Sequence, residues 1–252
     1  MRIAVAGGTG TVGRHTVEAV RSAGHDAVIL SRSRGVDLVT GKGVDDALTG
    51  VDAVIDVVSV ETLKASTAIE FFTAATGNLS AAAADAGIRH LVLLSIVGID
   101  RIPYDYYAGK IAQEKIVEQS RVPSTILRAT QFHEFAGQMF ERAKIGPLHL
   151  APNARTQPVA AREVGARLAA LAAAEPQGRV RDLAGPREEQ LSDMVRAFAR
   201  RRGYRGWVPA VNVPGPQMAG MRAGHALPGP DAELGQQGFT EWLAAQSRSR
   251  SR

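Results

Sequence analysis

The chain has 252 residues, 45% of them hydrophobic, and a formal net charge of +5 at pH 7. This length and apolar content fit one large α/β domain with a small appended lobe, and they exclude a disordered chain. Because the sequence contains no cysteine, it excludes disulfides, thiolate nucleophiles and cysteine-based zinc sites. The first apolar run begins near residue 2, and no secretory segment or membrane-length apolar run follows it. We therefore expect a cytoplasmic protein that has no membrane partner.

The positive charge is concentrated in two places that do not predict nucleic-acid binding. Arg248, Arg250 and Arg252 belong to a Ser-Arg repeat at residues 247–252, which we interpret as a disordered tail. The second cluster, at residues 200–205, closes a predicted helix, where cations interact favourably with the helix dipole. We therefore expect a small-molecule substrate as the partner and no nucleic acid.

A glycine-rich turn follows the first predicted strand, residues 3–6, and leads into a helix that ends near residue 24. The turn matches both G-x-G-x-x-G and G-x-x-G-x-x-G. After a strand and before a helix, such a turn brings backbone N–H groups and the helix N-terminus close to a pyrophosphate, with no side chain between them. The sequence therefore predicts a dinucleotide site. Its expected cofactor-binding residues are Gly7, Gly8, Thr9, Gly10, Thr11, Val12 and Gly13.

The end of the second predicted strand, residues 27–30, indicates which dinucleotide binds. An NAD site usually places an Asp or Glu there, to accept hydrogen bonds from the ribose hydroxyls. This chain instead has Ser31 and Arg32, and a guanidinium can pair with a 2′-phosphate that an acid would repel. We predict NADP(H), with Arg32 as its main contact. NAD(H) and a purely solvated arginine loop are the alternatives.

A weakly apolar segment at residues 35–38 could form a further strand. Asp37 would then stand where a carboxylate can accept a hydrogen bond from the adenine amino group of the cofactor. An exposed turn aspartate is the alternative, and both interpretations of Asp37 stay open.

Short apolar runs alternate with helical stretches as far as residue 130, which predicts an α/β fold with a doubly wound parallel sheet of the Rossmann type. Further strands are expected at 53–58, 90–94 and 125–128, and helices at 66–86, 104–119, 161–174 and 191–201. The proline- and glycine-rich stretch 208–230 is expected to be mostly irregular. We expect an NAD(P)-binding core over residues 1–134. Residues 135–246 are expected to complete the core and to form a small C-terminal substrate lobe.

Ser95, Tyr106 and Lys110 form the candidate catalytic group. Ser95 directly follows an apolar strand, and open α/β sheets hold their ligands at the carboxyl ends of such strands. Tyr106 and Lys110 lie four residues apart on a predicted helix, so they share one face. Reduction of a carbon–oxygen bond needs a proton donor, and a neighbouring ammonium lowers the pKa of a phenol. We expect Tyr106 to donate the proton, Lys110 to lower its pKa and hold the nicotinamide ribose, and Ser95 to orient the substrate oxygen.

Other interpretations of these residues stay open. A Tyr-x-x-x-Lys spacing also occurs on the surface of ordinary amphipathic helices. Tyr104 or Tyr107 could face the site in place of Tyr106, and His133 could contact the substrate or relay a proton. A loop histidine more often satisfies nearby backbone groups, and we favour that interpretation of His133. The six histidines show no metal-ligand spacing with acids, so we expect no metal site.

Five segments of the chain carry a resemblance to a known family. They are Ala6-Gly7-Gly8-Thr9-Gly10-Thr11-Val12-Gly13, Leu93-Leu94-Ser95, Tyr106-x-x-x-Lys110, residues 125–135 and Asp182-Leu183-Ala184-Gly185-Pro186. Together they resemble the atypical, NmrA-like branch of the short-chain dehydrogenase/reductase superfamily, over nearly the whole chain as far as Trp242. The resemblance implies a Rossmann core, a small C-terminal substrate lobe and NADP(H). Related extended members carry an asparagine as a fourth catalytic residue on the long helix, where this chain has Phe72.

We expect an NADP(H)-dependent oxidoreductase that reduces a small carbonyl, enone or quinone-like compound. Some NmrA-like proteins bind the dinucleotide as redox sensors and catalyse no reaction. A noncatalytic NADP(H) sensor with a protein partner is therefore the first alternative. An isomerase or epimerase that keeps its nicotinamide cofactor bound is the second. The sequence leaves open the substrate, the direction of the reaction and whether the chain forms a homo-oligomer.

Overall fold

The computed structural model describes residues 1–246. Within these residues the strands are β1 (Arg2–Ala6), β2 (Asp26–Leu30), β3 (Ala53–Asp56), β4 (His90–Ile96), β5 (Ser124–Ala129), β6 (Lys144–Ile145), β7 (Leu148–His149), β8 (Ala151–Pro152), β9 (Arg155–Thr156), β10 (Gly178–Arg179), β11 (Leu183–Ala184), β12 (Glu189–Gln190), β13 (Ala210–Val211) and β14 (Glu233–Leu234). The helices are α1 (Thr11–Ser22), α2 (Val44–Leu48), α3 (Ala65–Asp85), α4 (Tyr106–Glu118), α5 (Phe135–Arg142), α6 (Ala161–Ala172), α7 (Leu191–Arg201), α8 (Pro216–Arg222) and α9 (Phe239–Ala245). The predicted disordered tail, residues 247–252, lies outside the described residues.

The chain divides into two compact units. Within the described residues, unit 1 consists of Met1–Ala129 and Ala161–Arg181, and unit 2 consists of Thr130–Ala160 and residues 182–246. The sequence predicts an NAD(P)-binding core over residues 1–134, with residues 135–246 completing the core and forming a substrate lobe. The two observed units interleave, because the chain returns to unit 1 after residue 160.

Unit 1 is built on a parallel sheet in the order β2-β1-β3-β4-β5, with the short β10 paired to β5. The strand β3 is buried along its whole length, as expected for a parallel sheet covered by helices. In register, Ala6 of β1 lies between Leu30 of β2 and Asp56 of β3. The carboxyl ends of three neighbouring strands therefore meet at one edge of the sheet, next to the glycine-rich turn.

Two glycines let the helices of unit 1 approach one another closely. A Cβ on Gly109 of α4 would lie 2.7 Å from the Cβ of Ala68 in α3. A Cβ on Gly165 of α6 would lie 2.7 Å from the backbone nitrogen of Thr16 in α1. Because neither position has room for a side chain, α4 packs directly on α3, and α6 packs directly on α1.

The hydrophobic core of unit 1 lies between the sheet and the alanine-rich helix α3. Its largest fully buried side chains include Phe72 and Leu79 of α3 and Leu91 and Leu93 of β4. Burial of one such side chain contributes roughly 1.5–3 kcal/mol. This core fixes the positions of β3, β4 and α4, whose carboxyl-edge residues form the candidate site.

Unit 2 has short strands and four helices among the residues that the structure describes. β11 pairs with β14 and β13 with β8 in parallel, whereas β12 pairs with β9 and β6 with β7 in antiparallel orientation. The amphipathic helix α7 buries Leu191, Met194 and Val195. Its Phe198 ring lies 6.0 Å from the ring of Phe140 in α5, so α5 and α7 form the aromatic centre of this unit.

The five long strands and the helices α1, α3, α4, α6 and α7 confirm the predicted elements, with small differences at their ends. One expectation is wrong. Residues 35–38 form a turn rather than a strand, because the Asp37 carboxylate accepts hydrogen bonds from the N–H groups of Val39 and Thr40. The stretch 208–230 is mostly irregular, as expected, and it also contains the short helix α8, in which Pro216 occupies a first-turn position that tolerates proline. No helix within residues 1–246 has the length and apolar character that crossing a membrane requires.

Candidate functional site

The glycine-rich turn between β1 and α1 is a tight, well-bonded loop. Gly7 has a φ of +78°, which other residues rarely adopt. Its N–H donates to the carbonyl oxygen of Leu30 at 3.1 Å, and the N–H of Gly8 donates to Val5 at 3.2 Å. The N–H of Gly10 donates to the carbonyl oxygen of Gly7 at 2.9 Å. These bonds hold the loop against the ends of β1 and β2.

Gly13 lets the first turn of α1 lie directly on this loop. A Cβ at Gly13 would sit 2.1 Å from the carbonyl oxygen of Gly7, so a larger residue does not fit. α1 begins at Thr11 and has no acidic residue in its first turn. The first N–H groups of a helix lack intrahelical acceptors and carry the positive end of its dipole. A dinucleotide pyrophosphate therefore fits this position, both in space and in charge.

A cavity of about 440 Å³ opens beside the loop, and its lining includes Gly8 and Thr9 of the loop, Ile29 of β2, and the charged residues Arg14, Glu18 and Arg21 of α1. Helical side chains lean towards the helix N-terminus, so the Arg14 guanidinium can reach an anion at the loop. Arg14 is not among the residues predicted from the sequence. Its signal is a basic residue that directly follows the last glycine of the turn.

Ser31 and Arg32 follow β2, as the sequence predicts. Arg32 begins a short 3-10 turn, Arg32–Arg34, and the hydroxyl oxygens of Ser31 and Ser33 lie 3.1 Å apart. Arg32 and Arg34 are exposed, and within residues 1–246 neither pairs with a carboxylate. Both guanidinium groups are thus available to a phosphate. Asp37 is engaged in the turn described above, and its contact with adenine stays a prediction.

Tyr106, the first residue of α4, has its hydroxyl oxygen 3.0 Å from the Oγ of Ser59. Ser59 follows β3 in a segment that contacts the glycine loop, since a Cβ on Gly7 would lie 3.0 Å from the carbonyl oxygen of Val57. One short segment therefore separates the Tyr106 phenol from the loop. The sequence analysis missed Ser59, whose signal is a hydroxyl residue after a buried strand at the same sheet edge.

The backbone directly before Tyr106 is strained. Asp105 has a φ of +51°, and it is the one non-glycine residue with a positive φ within residues 1–246. Such conformations persist where the surrounding structure enforces them, and they concentrate at functional sites. The strain fixes the point at which α4 begins and hence the position of the phenol.

The expectation that Lys110 lowers the pKa of Tyr106 is wrong. Burial raises the pKa of Tyr106 to about 12, and the hydrogen bond with Ser59 offsets this rise only in part. The ammonium group of Lys110 is directed elsewhere, towards the backbone of β4. The phenol is therefore protonated at neutral pH, a state that suits a proton donor rather than a proton acceptor.

Lys110 is buried, with 3% of its surface exposed. Its Nζ donates to the carbonyl oxygen of Leu94 at 2.7 Å and to Oε1 of Gln113, and it lies 4.9 Å from the centre of the Phe72 ring. Burial lowers the pKa of Lys110 to about 8, and the Asp56 carboxylate acts in the opposite direction. The third N–H of the ammonium has no acceptor within residues 1–246.

A cluster of buried polar groups stands behind Lys110. The Nε2 of Gln113 donates to Oδ2 of Asp56 at 3.0 Å and to Oγ1 of Thr76 at 2.9 Å, and this Thr76 hydroxyl donates to the same Oδ2 at 2.8 Å. All three residues are completely buried. The sequence analysis did not identify this cluster. Its one signal is an aspartate at the end of an apolar strand, because a buried carboxylate requires partners.

Ser95 lies near the carboxyl end of β4, as predicted, and is 1% exposed. Its Oγ has no hydrogen-bond partner within the described part of the chain. The preceding residue, Leu94, supplies the carbonyl oxygen that Lys110 contacts. A buried hydroxyl without a partner costs roughly 1–3 kcal/mol, so Ser95 is suited to bind an oxygen of a ligand.

Aromatic rings surround the phenol and the ammonium. The Phe72 ring lies 5.6 Å from that of Tyr106, which lies 6.5 Å from that of Tyr107. Tyr107 is buried and Tyr104 is exposed, whereas Tyr106 is half-buried and shares Phe72 with Lys110. Phe72 therefore contacts both candidate catalytic groups, at the position where the family resemblance implies an asparagine, but its ring offers no hydrogen bond.

His133 lies in unit 2 and is completely buried. Its Nε2 donates to the carbonyl oxygen of Gln237 at 2.9 Å, and its ring lies 5.9 Å from Phe239 and 5.6 Å from Trp242. These contacts support the structural interpretation, and a substrate contact stays a prediction. Within residues 1–246, no group of three His, Asp or Glu side chains is arranged to hold a metal ion.

The family model described as NAD(P)H-binding matches residues 7–175. The matched region begins at the glycine loop and ends just after α6. It therefore contains every residue of unit 1 that we assign to the candidate site, including Arg32, Tyr106 and Lys110. The finer assignment to the NmrA-like branch stays a prediction.

Two curated proteins match about half of the chain. The photosystem II assembly factor Ycf39 of Synechocystis sp. is 31% identical over 147 residues, which are 52% of this chain and 45% of that protein. The (4-alkanoyl-5-oxo-2,5-dihydrofuran-3-yl)methyl phosphate reductase of Streptomyces griseus is 31% identical over 144 residues, which are 52% of this chain and 48% of that protein. The chain spans about half the length of the curated relatives it matches.

Solved structures share the fold over most of the chain. MoeE5 in complex with UDP-glucose and NAD has a TM-score of 0.72 and 16% identity, with 98% of this chain and 97% of that chain covered. The NADPH-dependent quinone oxidoreductase QOR2 of Escherichia coli, complexed with NADPH, has a TM-score of 0.63 and 20% identity, with 84% and 78% covered. These matches confirm the predicted Rossmann-type sheet. The chain thus belongs to the NAD(P)H-binding family and shares the fold of these solved structures.

Proposed function

We propose that the protein is an NADP(H)-dependent oxidoreductase that reduces a small carbonyl, enone or quinone-like compound. The observation that carries this proposal is the segment after β3. It contacts the glycine loop at Gly7 and, through Ser59, the phenol of Tyr106. The segment thus has a dinucleotide site on one side and a protonated phenol on the other. A hydride donor and a proton donor that lie this close together support the reduction of a carbon–oxygen bond.

The residues after β2 support NADPH over NADH. The guanidinium groups of Arg32 and Arg34 can pair with a 2′-phosphate, and the Ser31 hydroxyl can donate a further hydrogen bond. No acidic side chain occupies residues 31–34 to accept bonds from a free 2′-hydroxyl. When bound, NADPH supplies the hydride that reduces the substrate carbon.

In this proposal Tyr106 is the general acid. Its phenol donates a proton to the substrate oxygen, and its high pKa keeps the proton in place until that oxygen becomes basic. The Ser59 hydroxyl, within hydrogen-bond distance of the phenol, is placed to return a proton from solvent. At neutral pH the phenol is in the protonated form that reduction starts from, whereas oxidation would start from the phenolate.

Lys110 and Ser95 position the reactants. Two N–H groups of the ammonium are bound to the protein, and the third is available to a ribose hydroxyl of the cofactor. The Ser95 hydroxyl, which has no partner within residues 1–246, can donate to the substrate oxygen. The Leu94 carbonyl oxygen that binds Lys110 and the Ser95 hydroxyl therefore lie on adjacent residues near the end of one strand, β4.

The test is a screen of the purified protein for NADPH oxidation with quinones, aldehydes and enones, followed by the loss of NADPH absorbance. NADH in place of NADPH is the cofactor control, and Tyr106→Phe is the control for contaminating activity. We expect turnover that prefers NADPH and depends on Tyr106. Tight NADPH binding without turnover of any compound class would contradict the proposal.

A noncatalytic NADP(H) sensor is the second candidate. It is favoured by the hydrogen bonds that Tyr106 and Lys110 already make to Ser59, Leu94 and Gln113, and one matched relative is named as an assembly factor. A sensor must distinguish the two redox forms of its ligand, because a ligand shifts an equilibrium only by its differential affinity. Calorimetric titration with NADP⁺ and with NADPH tests this, and equal affinities would exclude a redox sensor.

A further inference from the structure

We propose that Gln113 is a positioning residue for Lys110. Its side-chain amide joins the Lys110 ammonium to the buried Asp56 carboxylate, and so keeps the ammonium charged and fixed where the cofactor binds. The benefit to cofactor binding rests on the proposed function. The link between Gln113 and the charge of Lys110 is a property of the chain alone, and it can be measured without any cofactor.

The direction of each hydrogen bond in the cluster follows from the chemistry of its groups. A carboxylate only accepts and an ammonium only donates. Asp56 therefore accepts from Thr76 Oγ1 at 2.8 Å and from Gln113 Nε2 at 3.0 Å. The amide nitrogen of Gln113 must face Asp56, so its oxygen faces Lys110. A primary amide can donate at one end and accept at the other, which an ionised carboxylate at this position could not do.

The burial of the two ions makes this bridge necessary. Asp56 is completely buried and Lys110 is 3% exposed, and an isolated charge in a dry interior costs several kcal/mol. Within residues 1–246 the two groups form no direct ion pair. The amide of Gln113 instead places its oxygen against the cation, one N–H against the anion and the other N–H against the Thr76 hydroxyl. Asp56 also accepts the backbone N–H of Val58 at 3.1 Å, which completes its set of donors.

The other contacts of the Lys110 ammonium show why the hydrogen bond to Gln113 is important. The Phe72 ring lies 4.9 Å from Nζ and offers a π face but no lone pair. The carbonyl oxygen of Leu94 belongs to the backbone of β4, which no side-chain substitution removes. Within the described residues, Gln113 supplies the one side-chain hydrogen bond to Lys110, and Glu114 is a nearby carboxylate that acts through space. Gln113 is thus the position at which a substitution removes a hydrogen bond from the Lys110 ammonium without removing a charge.

The charge of Lys110 can be measured directly, because the chain has only five lysines and the other four are exposed. NMR of the full chain labelled with ¹³C-lysine, titrated with pH in the absence of cofactor, resolves Lys110 as the outlying signal, which Lys110→Arg identifies. We expect Gln113→Met, which keeps the side-chain length, to lower the pKa of Lys110 by roughly one unit. We expect Gln113→Glu to raise it. Gln119→Met, at an exposed position just after α4, is the matched control and should leave the pKa unchanged.

Opposite shifts in Gln113→Met and Gln113→Glu support the link. No shift, or a shift in the same direction in both variants, overturns it. If circular dichroism shows that Gln113→Met does not fold, Gln113→Glu decides alone, because a rise in the pKa supports the link and an unchanged pKa overturns it.

The role at the cofactor has its own readout. NADPH affinity is measured against pH, and its loss at alkaline pH should move with the pKa of Lys110 in each variant. In a Lys110→Met background, Gln113→Met should have no further effect on affinity, because both changes act through one ammonium. If the NMR shifts occur but affinity does not follow them, the link stands and the proposed role of Lys110 at the cofactor is overturned.

Discussion

The Arg128 guanidinium donates two parallel hydrogen bonds to the Glu114 carboxylate, Nε to Oε1 at 2.8 Å and Nη2 to Oε2 at 2.6 Å. The side chains are 4% and 7% exposed. Arg128 belongs to β5 and lies beside Ser95 in register, whereas Glu114 follows Gln113 on α4. The pair therefore ties the helix that carries the candidate catalytic residues to the sheet.

We expect Arg128→Met to lower the free energy of unfolding by about 3–5 kcal/mol, because it would leave Glu114 buried without its partner. Urea denaturation measures the loss. The control is Arg121→Met, which removes an ion pair to Asp85 whose side chains are 77% and 74% exposed and should cost less than about 1 kcal/mol. Equal losses in the two variants would show that the buried pair has no special role.

The choice of cofactor is predicted to depend on Arg32. Replacement by Ala should weaken NADPH binding by about 1.5–3 kcal/mol, the size of a hydrogen bond to a charged group, and should spare NADH. Fluorescence titration with both cofactors measures this. Arg121→Ala, which removes an exposed arginine between α4 and β5, is the matched control and should leave the affinity for both cofactors unchanged. Equal weakening of NADPH and NADH in Arg32→Ala would reject the assignment of the 2′-phosphate.

The glycine loop offers a contrast between two positions. Gly10 has an extended backbone, and a Cβ there would lie 3.2 Å from the carbonyl oxygen of Gly7. Gly10→Val should therefore keep the fold and lose dinucleotide binding, because its side chain would occupy the path of the pyrophosphate. At Gly13 the same distance is 2.1 Å, so Gly13→Ala should also cost roughly 1–3 kcal/mol of stability through overpacking. Circular dichroism melts beside binding titrations distinguish the two, and retained affinity in Gly10→Val would mean that the loop is only a turn.

Catalysis is predicted to require the hydroxyl of Tyr106. Tyr106→Phe should keep NADPH affinity and lower kcat by roughly a hundredfold or more, the effect of losing a general acid. Tyr107→Phe removes the neighbouring, buried hydroxyl and is the matched control. Steady-state kinetics with a substrate from the screen measure both variants. If the loss follows Tyr107 instead, our assignment of the acid is wrong.

The dependence of stability on pH is predicted from Lys110. Its pKa falls from the usual 10.5 to about 8 in the folded protein, so between these values the unfolded chain binds more protons than the folded one. The free energy of unfolding of the wild type should therefore rise with pH across this window, relative to that of Lys110→Met. Urea denaturation at several pH values measures the difference. A difference that falls with increasing pH would mean that Lys110 is not deprotonated more easily in the folded state.

The sheet of unit 1 could be predicted because a buried parallel strand reads as a continuous apolar run, and because strand, glycine turn and helix follow one another along the chain. The places of Ser31, Arg32 and Ser95 could be predicted for the same reason, since all three lie within two residues of the end of such a run. The position of α8 could not be predicted, because proline and glycine suggest irregular structure even where Pro216 starts a helix.

The polar cluster behind Lys110 could not be predicted because its members come from three separate elements. Asp56 ends β3, Thr76 lies on α3 and Gln113 lies on α4, and no spacing along the chain reports their approach. The pKa of Tyr106 depends likewise on burial and on Ser59, which are tertiary properties. Sequence spacing indicated that Tyr106 and Lys110 share a helix face, but it did not indicate what each contacts.

The interleaving of the two units has a consequence for synthesis of the chain. α6 belongs to unit 1 and packs so closely on α1 that Gly165 has no room for a Cβ, yet it follows the excursion Thr130–Ala160 through unit 2. During translation, the last helix of unit 1, α6, is therefore synthesised only after residues 130–160 of unit 2. A fragment ending at residue 134 would lack the partner of α1 and expose the surface that α6 covers. Unit 1 as a whole can therefore fold only when residues up to Arg181 have been synthesised.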